Sequence, residues 1–249
     1  MAMVSGVVPA REEGSMLMSM VRSYGKSARA VERRYGLFMH IAVLMLALMT
    51  LARPAWAETT KPVKLVVLGD SLSAGLGLPA QEAFPAKLQK ALQAKGIEVE
   101  MTNAGVSGDT SSGGRDRLDW SVPDGTDGVI VELGANDAMR GIDPDLTRAA
   151  LTDIVQRLKA RKIAVMLCGM LAPPNFGADY GARFNSIYPD LAKQFDVPLY
   201  PFFLDGVAAD ARLNQADGIH PTAEGVDIVV GKMLPTVEAF IGTINEHPR

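Results

Sequence analysis

From Lys61 onward, short apolar runs alternate with stretches of helical periodicity, and this alternation narrows the possible folds more than any other feature of the chain. The runs are Lys64–Leu68, Ile97–Thr102, Gly128–Glu132, Ile163–Gly169 and Val197–Tyr200. Consecutive apolar residues signal strands covered on both faces, hence a parallel sheet between two layers of helices. Between the runs, AFPAKLQKALQAKG places Leu88, Ala91 and Leu92 on one face and stops at Gly96. DPDLTRAALTDIVQRLKARK opens with Asp143 as N-cap and Pro144 in the first turn. It repeats Leu146, Ala150, Leu151, Ile154, Val155 and Leu158 at helical spacing. A last helix is expected from about Thr222 to Ile241. The expected class is α/β, a three-layer α/β/α sandwich around a five-stranded parallel sheet.

Ahead of this domain, Arg33 and Arg34 precede the apolar run Leu37–Ala52, which is followed by Ala55-Trp56-Ala57. A basic flank, a short apolar core and an A-x-A site make a secretory signal over residues 1–57, removed after Ala57. The run is shorter than the roughly 20 residues that a membrane span needs, and it contains His40. The expectation is therefore an exported protein, periplasmic or secreted, with no stable membrane insertion once the signal is cleaved. Residues 1–36 are long for a leader's basic region, which fits a start at Met16, Met18 or Met20. The remaining domain, 58–249, is long enough for one sizeable core. A net charge of −3 offers nucleic acid no electrostatic support. Cys168 is the only cysteine, so no internal disulfide forms, and its place in an apolar strand marks a core residue. Nothing in the sequence sets an oligomeric state.

Sites in parallel sheets form at the carboxyl ends of strands. The residues there are GDS after the first strand, NAGVSGDT after the second, LGAND after the third and GMLAPPN after the fourth. A serine hydroxyl needs a neighbouring base to attack an acyl carbon. Beyond Ala57 only His220 and His247 qualify, and His247 sits at the chain end, where fraying is expected. His220 lies in NQADGIHPTAEG, just before the last helix, with Asp217 three residues earlier to hold its ring. Gly105 offers an unobstructed backbone N–H and Asn136 a side-chain amide for an oxyanion. Singly, each has an ordinary reading as well: Asp217-Gly218 as a turn, Gly105 as a turn, Asn136 as a cap.

The ordered blocks VVLGDSLSAG, NAGVSGDTSSGG, LGAND and DGIHP resemble those of the SGNH (GDSL) hydrolases, within them the bacterial thioesterase I, lysophospholipase L1 and arylesterase group. The likeness covers Lys61 to Ile241. It implies Ser71 as nucleophile, His220 as base and Asp217 as its orienting partner. It also implies an oxyanion hole formed by the Ser71 N–H with Gly105 and Asn136, and a flavodoxin-like strand order. No metal or organic cofactor is implied, and the partner is a small-molecule ester. The implied reaction is hydrolysis of aryl, lysophospholipid or acyl-thio esters through an acyl-enzyme. The alternatives are a carbohydrate O-deacetylase and a noncatalytic acyl- or lipid-binding protein. Asp70 and Asp137 read as loop-bracing acceptors. Phe176, Tyr180, Leu72, Leu76 and Leu78 are candidates for an acyl wall, whereas Phe184 and Tyr188, four residues apart, read as a buried helix face.

Two rival motifs fail on context. GLGLPA, Gly75 to Ala80, fits G-x-G-x-x-[GA], with Glu98 and Glu100 about twenty residues on. It begins several residues after its strand, and Pro79 sits where a phosphate-binding helix belongs. The nucleophile elbow G-x-S-x-G is absent, because GVSGD around Ser107 fails at its last position.

Overall fold

All five expected strands pair in one parallel sheet in the order β2-β1-β3-β4-β5. They are β1 (Val63–Gly69), β2 (Val99–Gly105), β3 (Gly128–Glu132), β4 (Ala164–Cys168) and β5 (Leu199–Tyr200). The structure is a computed structural model that describes residues 61–246, together with 39–40 and 43–45. Both the cleavage site expected after Ala57 and residue His247 lie outside the described residues. The chain divides into two units, Met1–Thr59 and Thr60–Arg249. In the first, Met39, His40 and Val43–Met45 are helical. No helix among the described residues is long and apolar enough to cross a membrane.

Burial along each strand follows its place in the sheet. Central β3 is buried at every residue, and in β1 only Lys64 is exposed. Edge strand β2 exposes Glu100, Thr102 and Asn103, and polar residues on an edge discourage pairing with another chain. The register puts Gly69 level with both Gly105 and Glu132, so three strands end at one height.

Two layers of helices cover the sheet. On one face α2 (Phe84–Ala94) packs against the last helix, α9 (Ala223–Glu246), while α1 (Ser71–Ala74) leans on β2. On the other, α6 (Pro144–Ala160) packs on β4 and touches α3 (Ser111–Asp116) and α8 (Ile187–Phe195). Right-handed crossovers require this division, because the chain moves outward from β1 in opposite directions to reach β2 and β3. Leu88 and Leu92 of α2 are fully buried. Truncating either to alanine removes about 2–5 kcal/mol.

One core residue is placed differently from its expectation. Leu146 is 61% exposed, whereas Thr147, Ala150, Leu151, Ile154, Val155 and Leu158 are buried. At 3.6 residues per turn, Leu146 falls about 110° from the centre of that buried arc. Its four-residue spacing to Ala150 matches the period, but it lies just outside the covered stripe.

Candidate active site

Ser71 owes its position to the way β1 ends. Asp70 N-caps the four-residue α1, its Oδ1 accepting from Leu72 N at 3.0 Å, and Gly75 closes the helix in the left-handed conformation. Ser71 therefore sits just outside the carboxyl edge of the sheet, where its own N–H, as the first helical residue, has no intrahelical acceptor. From the neighbouring strand, β3 runs into α5 (Ala135–Met139), which carries Asn136. Asn136 Nδ2 donates to Asp70 Oδ2 at 3.0 Å and joins the two turns. This is the switch point between β1 and β3, where sheets of this order open a crevice.

His220 arrives from the segment ahead of α9. Gln215 donates from its backbone N to His220 O at 2.7 Å, and from Nε2 to Leu76 O at 2.7 Å and Pro221 O at 3.0 Å. These bonds tie the loop to the residues following α1. Within the turn, Asp217 Oδ1 accepts from Ile219 N at 2.9 Å and His220 N at 3.0 Å. Its Oδ2 lies 2.6 Å from His220 Nδ1, and His220 Nε2 lies 2.8 Å from Ser71 Oγ. The hydrogen bond from the imidazole, with those from the two backbone N–H groups, holds the Asp217 carboxyl down to about 2. An ionised carboxylate only accepts, so Nδ1 carries the ring proton and Nε2 presents its lone pair to the serine hydroxyl. Segments 149 residues apart thus converge in a Ser–His–Asp array, and such an array can pass a proton from hydroxyl to imidazole.

Gly105 is brought to this end of the sheet, yet its N–H is already engaged. It donates to Asn103 Oδ1 at 2.9 Å, off the sheet edge. What demands glycine there is space: a Cβ would strike the backbone of Ala74 and Asp70. Three residues on, Gly108 has φ +86° and an N–H with no acceptor among the described residues. Its carbonyl is held by Arg140 Nη2 at 2.8 Å, and the same nitrogen reaches Asn136 Oδ1 at 3.4 Å. The Gly108 N–H is thus unengaged where that of Gly105 is not, a difference that sequence reasoning missed. The signal was the second glycine of NAGVSGD.

Beneath Ser71 lies a buried acidic layer that the motifs did not announce. Glu132 Oε2 accepts from Ser73 Oγ at 2.5 Å and Asp70 N at 3.4 Å. Its Oε1 is buried without a partner among the described residues. Burial, reinforced by Asp70, pushes the Glu132 carboxyl well above its ordinary range. Burial also raises Asp70, to about 6, against the pull of the Leu72 and Asn136 donors. Cys168 is driven upward by burial and by Glu132, which leaves an inert thiol. Asp137 braces a different junction, accepting from Ser111 N at 2.8 Å, Ser111 Oγ at 2.5 Å and Thr147 Oγ1 at 2.9 Å. Arg117, also unforeseen, is buried and donates to Gly69 O and Ala104 O at 2.8 and 2.7 Å. Its Nε meets Asp109 Oδ2 at 2.5 Å, which fastens the Gly108 loop to the ends of β1 and β2.

A cavity of about 190 Å³ opens beside Ser71, lined mainly by apolar side chains including Leu72, Ala138, Met170, Leu171 and Phe202. Of the leucines expected on its wall only Leu72 is there. Leu76 is exposed and Leu78 packs against the core, because the turn at Gly75 carries them away. Phe176 and Tyr180 are not in the lining either. Tyr180 Oη donates to Ile142 O at 2.9 Å and Tyr188 Oη to Leu133 O at 2.8 Å. Phe184 stacks between the two tyrosines, so this aromatic row buttresses the turns on either side of α5. A larger concavity of about 720 Å³ lies at the amino ends of the strands, beside Val63, Lys64, Ile163 and Ala164, remote from Ser71.

Residues 67–228 match the GDSL-like lipase/acylhydrolase family. The chain belongs to that family. Over 197 residues this GDSL hydrolase is 38% identical to esterase TesA of Pseudomonas aeruginosa, which covers 79% of this chain and 96% of the relative. It is 39% identical to thioesterase 1/protease 1/lysophospholipase L1 of Escherichia coli K12, across 81% of this chain and 93% of that one. Among solved structures, the SGNH-hydrolase family esterase AlinE4 is 43–44% identical in its several forms; the parent form superposes with a TM-score of 0.62 over 73% of this chain and 98% of its own. The chain is an ester hydrolase of the SGNH type, built on the expected α/β fold.

Proposed function

We propose that this hydrolase cleaves carboxylic esters of short to medium acyl chains through a covalent acyl-enzyme, with Ser71 as nucleophile. Neutral His220 takes the Ser71 proton as Oγ bonds to the ester carbonyl carbon, and Asp217 stabilises the imidazolium. The oxyanion is held by the Ser71 N–H, the free N–H of Asn136 Nδ2 and the Gly108 N–H, in place of Gly105. The carbon–oxygen bond to the alcohol then breaks, and His220 returns the proton to the leaving alkoxide. Water, deprotonated by the same imidazole, attacks the acyl-enzyme and releases the acid and free Ser71.

The reading rests on one observation above the others: Ser71 Oγ lies 2.8 Å from an imidazole whose far side meets a carboxylate at 2.6 Å. The cavity supports the acyl-chain assignment. At about 190 Å³ it is smaller than the roughly 300–1,000 Å³ of most ligand pockets, and its lining is apolar. The names of the relatives, esterase and thioesterase/lysophospholipase, agree with an acyl substrate. Aryl and lipid esters are favoured over acyl thioesters of coenzyme A, since the leader suggests an exported enzyme.

Ser71→Ala is expected to lose at least about 10³-fold in p-nitrophenyl butyrate hydrolysis and all labelling by a fluorophosphonate. Across p-nitrophenyl acetate, butyrate, octanoate and palmitate, kcat/KM should peak at butyrate or octanoate. A Ser71→Ala protein with parental activity overturns the nucleophile assignment. A preference for palmitate overturns the pocket assignment, and activity on acetate alone points to a deacetylase.

A further inference from the structure

We propose that Arg140 is a positioning residue for the oxyanion site, locking the Asn136 carboxamide in the orientation that leaves one N–H available. This rests on the reading of Asn136 as an oxyanion donor. The carboxamide is engaged at both ends. Nδ2 donates one N–H to Asp70 Oδ2 at 3.0 Å, and Oδ1 accepts from Arg140 Nη2 at 3.4 Å. A flipped amide would set Oδ1 against the Asp70 carboxyl and Nδ2 against a guanidinium, two like-with-like contacts in place of two hydrogen bonds. The guanidinium is itself anchored, since Nη2 also donates to Gly108 O at 2.8 Å. Arg140 thus bridges the loop after β2 and the helix after β3, the two segments that flank the Ser71 turn.

Its setting separates this role from a contribution to the fold. Arg140 is solvent-exposed, and among the described residues no carboxylate pairs with it. Buried Arg117 grips the same loop from beneath through its ion pair with Asp109, while it donates to the Gly69 and Ala104 carbonyls at the ends of β1 and β2. The loop is therefore secured without Arg140, whereas the amide orientation is not. Both oxygens are reached by the one nitrogen Nη2, and a lysine ammonium, on a shorter and more flexible stem, holds that pair of contacts less firmly.

The experiment is a double-mutant cycle on p-nitrophenyl butyrate with parent, Arg140→Met, Asn136→Ala and the double variant. Arg140→Met is expected to lower kcat roughly 10–100-fold, less than the loss of a whole oxyanion donor, with KM and melting temperature near parental values. The double variant should be no more than about threefold slower than Asn136→Ala, because Arg140 acts through that amide. Arg140→Lys should fall between parent and Arg140→Met. It also serves as the test if the methionine variant melts early. A parental kcat in Arg140→Met and Arg140→Lys, or fully additive losses, overturns the proposal. A parental kcat in Asn136→Ala instead brings down the oxyanion reading beneath it.

Discussion

Ser71 stands between two pairs of acidic and hydrogen-bonding groups that differ in almost every physical respect. On its outer side, Asp217 is solvent-exposed, surrounded by donors and held ionised down to about 2. On its inner side, Asp70 and Glu132 are buried, and burial raises both, Glu132 the more strongly. Carboxyl groups with the same chemistry in solution are thus shifted in opposite directions within one small site. The outer pair is placed to manage a proton; the inner pair shapes the turn that lifts the serine. Burial decides between the two roles, because desolvation penalises the charged form and three hydrogen-bond donors favour it.

The sharpest way to break this contrast is on the outer side. His220→Ala is expected to lower kcat by about 10³–10⁶-fold and Asp217→Asn by about 10²–10⁴-fold, both measured on p-nitrophenyl butyrate. Asparagine keeps an acceptor for the backbone N–H groups of Ile219 and His220 but presents an amide to Nδ1, which favours the wrong tautomer. Losses in Glu132→Gln as large as those in Asp217→Asn would erase the distinction.

On the inner side the expected effect is on stability. Native Glu132 keeps a proton that the unfolded chain releases above its ordinary 4.5, and Asp70 does the same between 3.8 and about 6. The native state then binds more protons than the unfolded one, so stability falls as pH rises, by about 1.4 kcal/mol per pH unit for each proton retained. Glu132→Gln keeps the acceptor for Ser73 and removes one titration. Its denaturation midpoint should decline less steeply than the parent's as pH rises above the ordinary 4.5. Parallel declines would show that Glu132 is ionised in the native state.

The smallest effect has the opposite sign. Asp217 is lowered from 3.8 to about 2, so its contribution is present above its unfolded value and disappears as pH falls through about 2. Asp217→Asn should flatten the acid limb of the parent's stability curve slightly, and urea midpoints at low pH check this. An unchanged acid limb would mean that solvent screens the pair completely.

How much of this was legible in the sequence depended on whether the signal was local. The strands could be read because full burial makes their apolar residues contiguous, as in GVIVE of β3. Ser71, Asn136, Asp217 and His220 stood out because each sits at a strand exit or before a helix, where turn chemistry is visible. The engaged N–H of Gly105 and the free one of Gly108 were only half legible, because the second glycine of NAGVSGD was visible but the hydrogen bond was not. It depends on which way the last peptide of an edge strand points, and on Asn103 turning back to occupy it. The acidic layer was hidden for a similar reason. Glu132 ends an apolar strand in the manner of any surface glutamate, and only the sheet register brings it under Asp70. Arg117 and Arg140 reach the carbonyls of Gly69 and Gly108, 48 and 32 residues away, which no spacing rule encodes. Leu146, Leu76 and Tyr180 failed because periodicity reports a helical stripe or a loop, not the width of the surface that covers it.

The three-residue interval between Asp217 and His220 has a mechanical consequence. Ring and carboxylate are fastened to each other and to the same few peptides, whereas the serine belongs to a distant turn. Ring and carboxylate therefore form one rigid cassette, whose position relative to the serine reduces to a single coordinate, the distance from imidazole to hydroxyl. That distance is held from both sides, since Gln215 of the same segment donates to Leu76 O, just beyond the turn that carries Ser71.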